Sequence, residues 1–520
     1  GPELKRAGYD GIVITGQSPA PATISIINGT AAISPADNLW GKDIYEVTDF
    51  FKAQNKGLKV LAIGPAGENL VKFSAVGNDK AHFLGRTGMG AVFGAKKLKA
   101  IVVYGNQAIL KANEEQYKKI FKNALAEIKD SAFAASLHLM GSDAAMDLGM
   151  MTGDIPIKNW TRGEDFEMAS KLSGPTMRET YLTREHACAH CPVACKRVVA
   201  VKDGPYKTEE GPGPEYETCA TFGTMIMNHD LAAVIKANEL CNRYGMDTIS
   251  AGSTIAMAME LYEKGIIDTR KADHLEITWG NMNSVFALLK KIAYREGFGA
   301  ILAEGAAKAA AQLGGESVDY AVHVKGLELP MHDPRGFHGM GLAYMMSNRG
   351  ACHLQHAAMG MEQGMVSWPQ LFEMKEDYDG KTSAGKAALV FNAENYGILG
   401  NSLSICHYLM YCLQPETIRD AFNAVTGFNF GFADFLKCGA RDWTLKRGIN
   451  NLLGIRVKDD VLPKKILTAL QDGAAAGSIP DMHLLRNEYY AIRGLNNEGI
   501  PQREKLLELG LDDLCRKLYG

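Results

Sequence analysis

Short apolar runs bounded by turn residues fill the first hundred positions, and longer runs with apolar residues three and four apart fill most of the rest. Gly11–Gly16 reads as a short strand. Thr23–Ile27 reads as another, and Asn28-Gly29 predicts a hairpin turn leading into Thr30–Ile33. Lys59–Gly64 and Ala100–Gly105 predict buried strands, and a helix is expected from Asp43 through Phe51. A glycine-rich stretch, Gly85–Gly94, lies between them. After about Gln107 the texture changes. Asn113–Met140 predicts one long helix with Lys and Glu on its outer face, and helical patterns return over 230–265, 283–313 and 385–475. Residues 325–360 are dense in Gly, Pro, His and Met and show no clean period. There is no internal repeat and no low-complexity linker. The pattern predicts an α+β protein: a β-rich domain over 1–108, then two mainly α-helical domains over 109–318 and 319–520.

The length, 520 residues, suits two or three domains. With 46% hydrophobic and 22% charged residues the chain is globular rather than disordered. Its 59 acidic and 56 basic residues leave a net charge of −3, which argues against nucleic-acid binding. No apolar run is long enough for a membrane span, and a cytoplasmic location is expected. The chain opens Gly1-Pro2 without an initiator Met, so a missing targeting signal says little. The 55 glycines exceed the usual share and imply many tight turns or close backbone approaches.

Three of the ten cysteines fall in one run, Cys188-Ala-His-Cys191-Pro-Val-Ala-Cys195. Zinc sites usually pair two such motifs far apart in sequence, and no second CxxC is present. A four-iron cluster held by this triplet and one remote cysteine fits better; a zinc site or unmetallated thiols are the alternatives. The radical-SAM triplet places its two gaps in the opposite order. Cys438 and Cys515 read as small buried hydrophobes.

Taken in order, several segments resemble the tungsten-dependent aldehyde:ferredoxin oxidoreductase family. They are Gly1–Asp10, Gly85–Val92, the cysteine triplet, Gly213-Pro214-Glu215-Tyr216-Glu217-Thr218, Lys325–Pro330, Asp333-Pro334-Arg335-Gly336, Ser347–Leu354 and Gly499-Ile500-Pro501. In that family the opening segment sits about a hundred residues in, so the resemblance implies that this chain lacks that first stretch. It also implies that 1–108 is part of a bis-pterin-binding domain. The cofactors implied are tungsten (or molybdenum) held by two pterins bridged by Mg2+, and a [4Fe-4S] cluster. The partner implied is a ferredoxin or ferredoxin-like small subunit, in a homodimer or a larger complex.

The resemblance also assigns roles. Arg86 would bind cofactor phosphate and the Thr87 carbonyl would help hold magnesium, with Gly88 and Gly90 letting backbone N–H groups approach. Asp333 and Arg335 join the cofactor contacts. The two pterin motifs, Asp-x-x-Gly-Leu-(Asp or Cys), correspond to Asn242–Asp247, with Gly245, and to Asn401–Cys406, with Ser404 and Ile405. Both leading Asp residues are Asn here and the second Gly is Ser404; an Asn offers one acceptor oxygen and no charge. Cys406 falls where the family places the fourth cluster ligand. Glu217 or Glu215, and His353 or His356, correspond to the Glu and His near the metal. Glu217 is expected to be the base, with the raised pKa of a carboxylate in a dry pocket. His332 and His338 are expected along the substrate funnel. The activity implied is oxidation of a small aldehyde to a carboxylic acid. The alternatives are a tungsten reductase subunit of the class II benzoyl-CoA reductase type, or a cluster-bearing electron-transfer or scaffold protein without pterin.

Overall fold

The computed structural model describes residues 1–373 and 378–520. The first part of the chain builds a six-stranded sheet from β1 (Ala22–Ile27), β2 (Thr30–Pro35), β3 (Lys59–Ala62), β4 (Val76–Asn78), β5 (His82–Leu84) and β6 (Leu98–Tyr104). The spatial order is β2-β1-β6-β3-β4-β5. β1 and β2 are the predicted hairpin, with Ile27 facing Thr30 across the turn and Asn28 and Gly29 both at positive φ. β6 is central, parallel to β1 and antiparallel to β3. Its Ile101 and Val103 pack on one face with Ile26 and Phe93, and its Ala100 and Val102 pack on the other with Val47 and Val60. A strand covered on both faces reads as the continuous apolar run seen here. Asp43 caps the helix Ile44–Gln54 through a capping box with Glu46.

Several expectations fail locally. Cys438, read as a small buried hydrophobe, is exposed on the helix Phe432–Leu452, and the helical pattern expected to 475 ends with that helix. Gly11–Gly16 is not a strand: among the described residues no strand pairs with it, and Val13 lies in solvent. The long helix breaks at Ser131, which adopts an extended backbone and caps Ala132–Met140 with its hydroxyl, leaving Glu114–Asp130 as a separate helix.

The rest of the chain is mainly helical around one large core. It also contains a three-stranded sheet of β7 (Leu182–His186), β8 (Lys196–Val199) and β9 (Gly211–Pro212), which the sequence pattern did not reveal. The loop joining β7 to β8 carries the cysteine triplet. The first sheet docks on the helical body through the β3–β4 connection: Ala75 N–H donates to Gly245 O at 2.8 Å and Asp247 N–H to Phe73 O at 3.0 Å. Gly64 is needed there, since a Cβ would lie 2.4 Å from Tyr244 O. Among the described residues no helix is long and apolar enough to cross a membrane.

Candidate active site

Pro214 and the extended backbone of Glu215 lead into the helix Tyr216–Phe222, and this change of direction separates the two acids. Glu217 enters the first turn and faces His332 and His353; its Oε1 lies 3.3 Å from His332 Nε2 and 3.4 Å from His353 Nε2. Its Oε2 accepts the Met331 N–H at 2.8 Å. Glu215 turns toward the cysteine loop, where it accepts from Ser142 Oγ at 2.6 Å and Lys196 Nζ at 3.2 Å. Behind the histidines stands Asp154, which sequence reasoning missed; its Oδ2 is 2.7 Å from His332 Nδ1. A loop aspartate with no motif around it gives no sequence signal. His332 also stacks on Tyr216, with ring centroids 4.9 Å apart.

These contacts invert the expected charge state. Burial disfavours the Glu217 anion, but His353, His332 and the Met331 N–H outweigh it and hold the carboxyl at about 2. Burial also disfavours a charged His332, but Asp154 and Glu217 push it up to about 10. His353 is driven down to about 3, chiefly by burial. The expectation of a raised glutamate pKa is therefore wrong here: a dry pocket raises a carboxylate only where no cationic or donor group faces it.

The group lines a cavity of about 230 Å³. Phe133, Leu137, Leu148, Met340, Tyr408 and Tyr411 form much of its wall, while Glu215, Glu217, His332, His353 and His356 line it with polar atoms. His353 Nδ1 and His356 Nε2 are buried without partners. The ligand atoms of Glu217, His332 and His353 lie within 4.8 Å of one another, close enough to surround one small ion or one substrate oxygen. His338 is elsewhere, bonded to Ser383 and Ser478.

The thiols gather at the other side of Glu215. Cys188, Cys191, Cys195 and Cys406 are free and close enough to perturb one another's ionisation. The loop is pinned by Arg197, which donates to Ala194 O and His138 O, and by His138 Nδ1 against Val193 O. His190 and Ala194 hold left-handed backbone that curls the loop. Burial pushes the Cys195 thiol up to about 12, with Glu215 and Cys406 adding to it; a soft metal would displace those protons. Four convergent thiols with no disulfide fit an iron–sulfur cluster.

The residues read as pterin contacts divide. The Arg86 side chain is buried and held at each nitrogen: Nε meets Asp247 Oδ2 at 3.2 Å, Nη1 donates to Ala351 O and Nη2 to Glu328 O. Its fork joins three chain segments and leaves one further N–H on each terminal nitrogen. Thr87 holds a left-handed backbone, and its hydroxyl bonds the Arg86 carbonyl. Gly88 and Gly90 are small because the chain's own backbone crowds them; a Cβ would meet Lys72 O at 2.2 Å or Ala75 O at 2.7 Å. Asp333 and Arg335 form a buried pair at 2.7 Å, with Arg335 also tied to Trp160 O and Thr468 O. Asn242 is buried near Tyr45, and Gly245 ends the helix Leu231–Tyr244. Asn401, Ser404 and Cys406 are exposed, with Ile405 half-buried.

Family models match nearly the whole chain: aldehyde ferredoxin oxidoreductase, N-terminal domain, over residues 1–105, and domains 2 and 3 over residues 119–511. The chain belongs to the aldehyde ferredoxin oxidoreductase family. A tungsten-containing aldehyde ferredoxin oxidoreductase of Thermococcus kodakarensis is 36% identical over 517 residues, covering 98% of this chain and 83% of that one. The protein of the same name from Pyrococcus furiosus matches with the same identity and coverage. The WOR-like subunit of an aliphatic sulfonate oxidoreductase from Pyrococcus furiosus is 29% identical, covering 100% of this chain and 83% of that one. The active-site complex BamBC of benzoyl coenzyme A reductase, solved with 1,5-dienoyl-CoA, shares the fold. It superposes with a TM-score of 0.81 at 24% identity, covering 99% of this chain and 83% of that one. In this chain the cavity is lined by the Asp154–His332–Glu217–His353 cluster.

Proposed function

We propose that this protein oxidises aldehydes to carboxylic acids, with water as the oxygen source and a ferredoxin or ferredoxin-like subunit as electron acceptor. The observation that carries this reading is the convergence of Glu217, His332 and His353 on one end of a largely apolar cavity, with Glu215 and the four thiols beside it. The tungsten named in the relatives supports the choice of metal. Cys188, Cys191, Cys195 and Cys406 would hold the [4Fe-4S] cluster. The turns 242–247 and 401–406 would border the pterins, with the exposed Asn401 and Ser404 side chains as the open contacts. The tungsten centre would supply the two-electron oxidation and the cluster would carry the electrons away singly.

The chain's own residues bind, orient and move protons. The apolar wall takes the substrate's carbon chain and excludes water from all but the polar end. Glu217 Oε1 accepts a hydrogen bond from the attacking water, and the released proton is shared with His353 Nε2, 3.4 Å away. His356 offers a second neutral acceptor on the same wall. Glu215 is committed to Ser142 and Lys196 and takes no part in that transfer.

The test is aldehyde turnover with a viologen dye under anaerobic conditions. Glu217→Gln should lower the rate by about 10²–10⁴-fold at unchanged iron and tungsten content. Glu215→Gln should lower it by less. Near-full turnover in Glu217→Gln would move the base elsewhere, and turnover only with a CoA thioester would favour the reductase alternative.

A further inference from the structure

His332 lines the cavity without serving as the acid or base of the proposed transfer. His332 Nδ1 lies 2.7 Å from Asp154 Oδ2, and its Nε2 lies 3.3 Å from Glu217 Oε1. Both ring nitrogens therefore face carboxylate oxygens. The ring is fixed from the side by stacking on Tyr216, whose hydroxyl is anchored on Met331 O at 2.7 Å. Asp154 and His332 are both buried, and the second Asp154 oxygen, Oδ1, has no partner.

We propose that Asp154 keeps His332 doubly protonated, so that the imidazolium donates to Asp154, faces Glu217 Oε1 as an ion pair and fixes Glu217 as an anion beside His353 and the cavity. This deepens the proposed function, on which it rests for the part played in turnover. Asp154 and His332 are positioning residues in this scheme, and the mobile proton stays with Glu217 and His353.

The charges around the ring agree. Facing His332 are Asp154, Glu217, the neutral His353, and the phenols of Tyr216 and Tyr344, both of which burial keeps protonated. Asp333, the next residue, spends its charge on Arg335. Two carboxylates against one ring favour the imidazolium, and His332 is pushed up to about 10 by them. His356, on the same cavity wall, provides the contrast: its Nδ1 accepts the Ala358 N–H, its Nε2 is open, and burial drives it down to about 3.

Diethyl pyrocarbonate acylates neutral imidazoles and spares imidazolium, so mass-spectrometric mapping of the labelled holoenzyme reads the pair directly. At pH 7.5, taken as a working value in the range where free histidine is neutral, His356 and His353 should be labelled and His332 spared. Asp154→Asn keeps the shape and removes the charge, and should raise His332 labelling by about tenfold or more, the factor expected for a pKa lowered through the working pH. Glu217→Gln should raise it less, and serves as the second variant if Asp154→Asn does not fold. The alkaline limb of the turnover profile should move to lower pH in Asp154→Asn, because loss of the His332 proton then occurs earlier, and Asp154→Glu should restore part of it. Labelling of His332 equal to that of His356 in the unaltered enzyme, or unchanged in both variants, would overturn the proposal. Absence of aldehyde turnover in the unaltered enzyme would overturn the proposed function, while the labelling would still decide the state of His332.

Discussion

The turns 242–247 and 401–406 share one local design and have opposite fates. Each ends a helix with a left-handed residue, Gly245 at φ 76° and Ser404 at φ 57°. In each, the sixth residue is the N-cap of the next helix: Asp247 for Thr248–Glu263 and Cys406 for His407–Cys412. Asp247 is buried and spent, with Oδ1 accepting the Ile249 N–H and Oδ2 taking Ser250 Oγ and Arg86. Cys406 is an exposed residue with no side-chain cap; desolvation raises its thiol pKa, against the backbone amides of Leu409 and Tyr408, which favour the ionised form. The first turn is pressed against Ile44, Gly64 and Ala75 of the sheet region, while the second is left open toward the cysteine loop. One local motif thus fastens the sheet to the helical body and, repeated, leaves a free thiol exposed.

Breaking the fastening should have the largest effect on stability. Arg86→Ala leaves Asp247 buried without its cation and leaves two carbonyls without a donor, so about 3–5 kcal/mol should be lost in urea unfolding. A loss under about 1 kcal/mol would mean that the turn does not hold the two parts together. Gly245→Ser copies the second turn into the first. A Cβ there would meet Ile44 and Gly64 N at 3.0–3.1 Å, and the left-handed backbone adds strain, so a cost of about 2 kcal/mol is expected. The reverse change, Ser404→Gly, should stabilise by about 0.5 kcal/mol, the strain relieved less the extra freedom of glycine in the unfolded chain. An equal and opposite pair of shifts would show that local backbone strain alone sets both values. Cys406→Ala should have the smallest effect on folding, within about 0.5 kcal/mol for an exposed side chain. It should nonetheless strip or convert the cluster, seen as loss of iron and of visible absorbance. An unchanged spectrum would pass the fourth position to another residue, with the nearby Cys412 first to be tested.

The Glu215 and Glu217 pair repeats the lesson over two residues. Their alternation was legible as a motif, yet in an extended segment both would share a side. A helix beginning at Tyr216 sends one acid to the histidines and the other to Lys196 and Ser142.

Much of the architecture lay in local patterning. The Asn28-Gly29 hairpin, the continuous apolar run of β6, the glycine-terminated helices and the cysteine spacing all follow from constraints that act within a few residues. The α+β character follows from these, and the ordered motifs identify the family. What the tertiary structure decided is partnership. Arg86 becomes a structural clamp because Asp247, Ala351 and Glu328 reach it, and those acceptors are 161 to 265 residues away. Asp154 has no motif, and only the fold brings it to His332. The charge on Glu217 depends on two imidazoles that a sequence pattern places near it without saying which of its oxygens they face. Backbone preference is a short-range property and can be read along the chain; burial, ion pairing and proton affinity are sums over neighbours in space, and they exist only once the chain has closed around them.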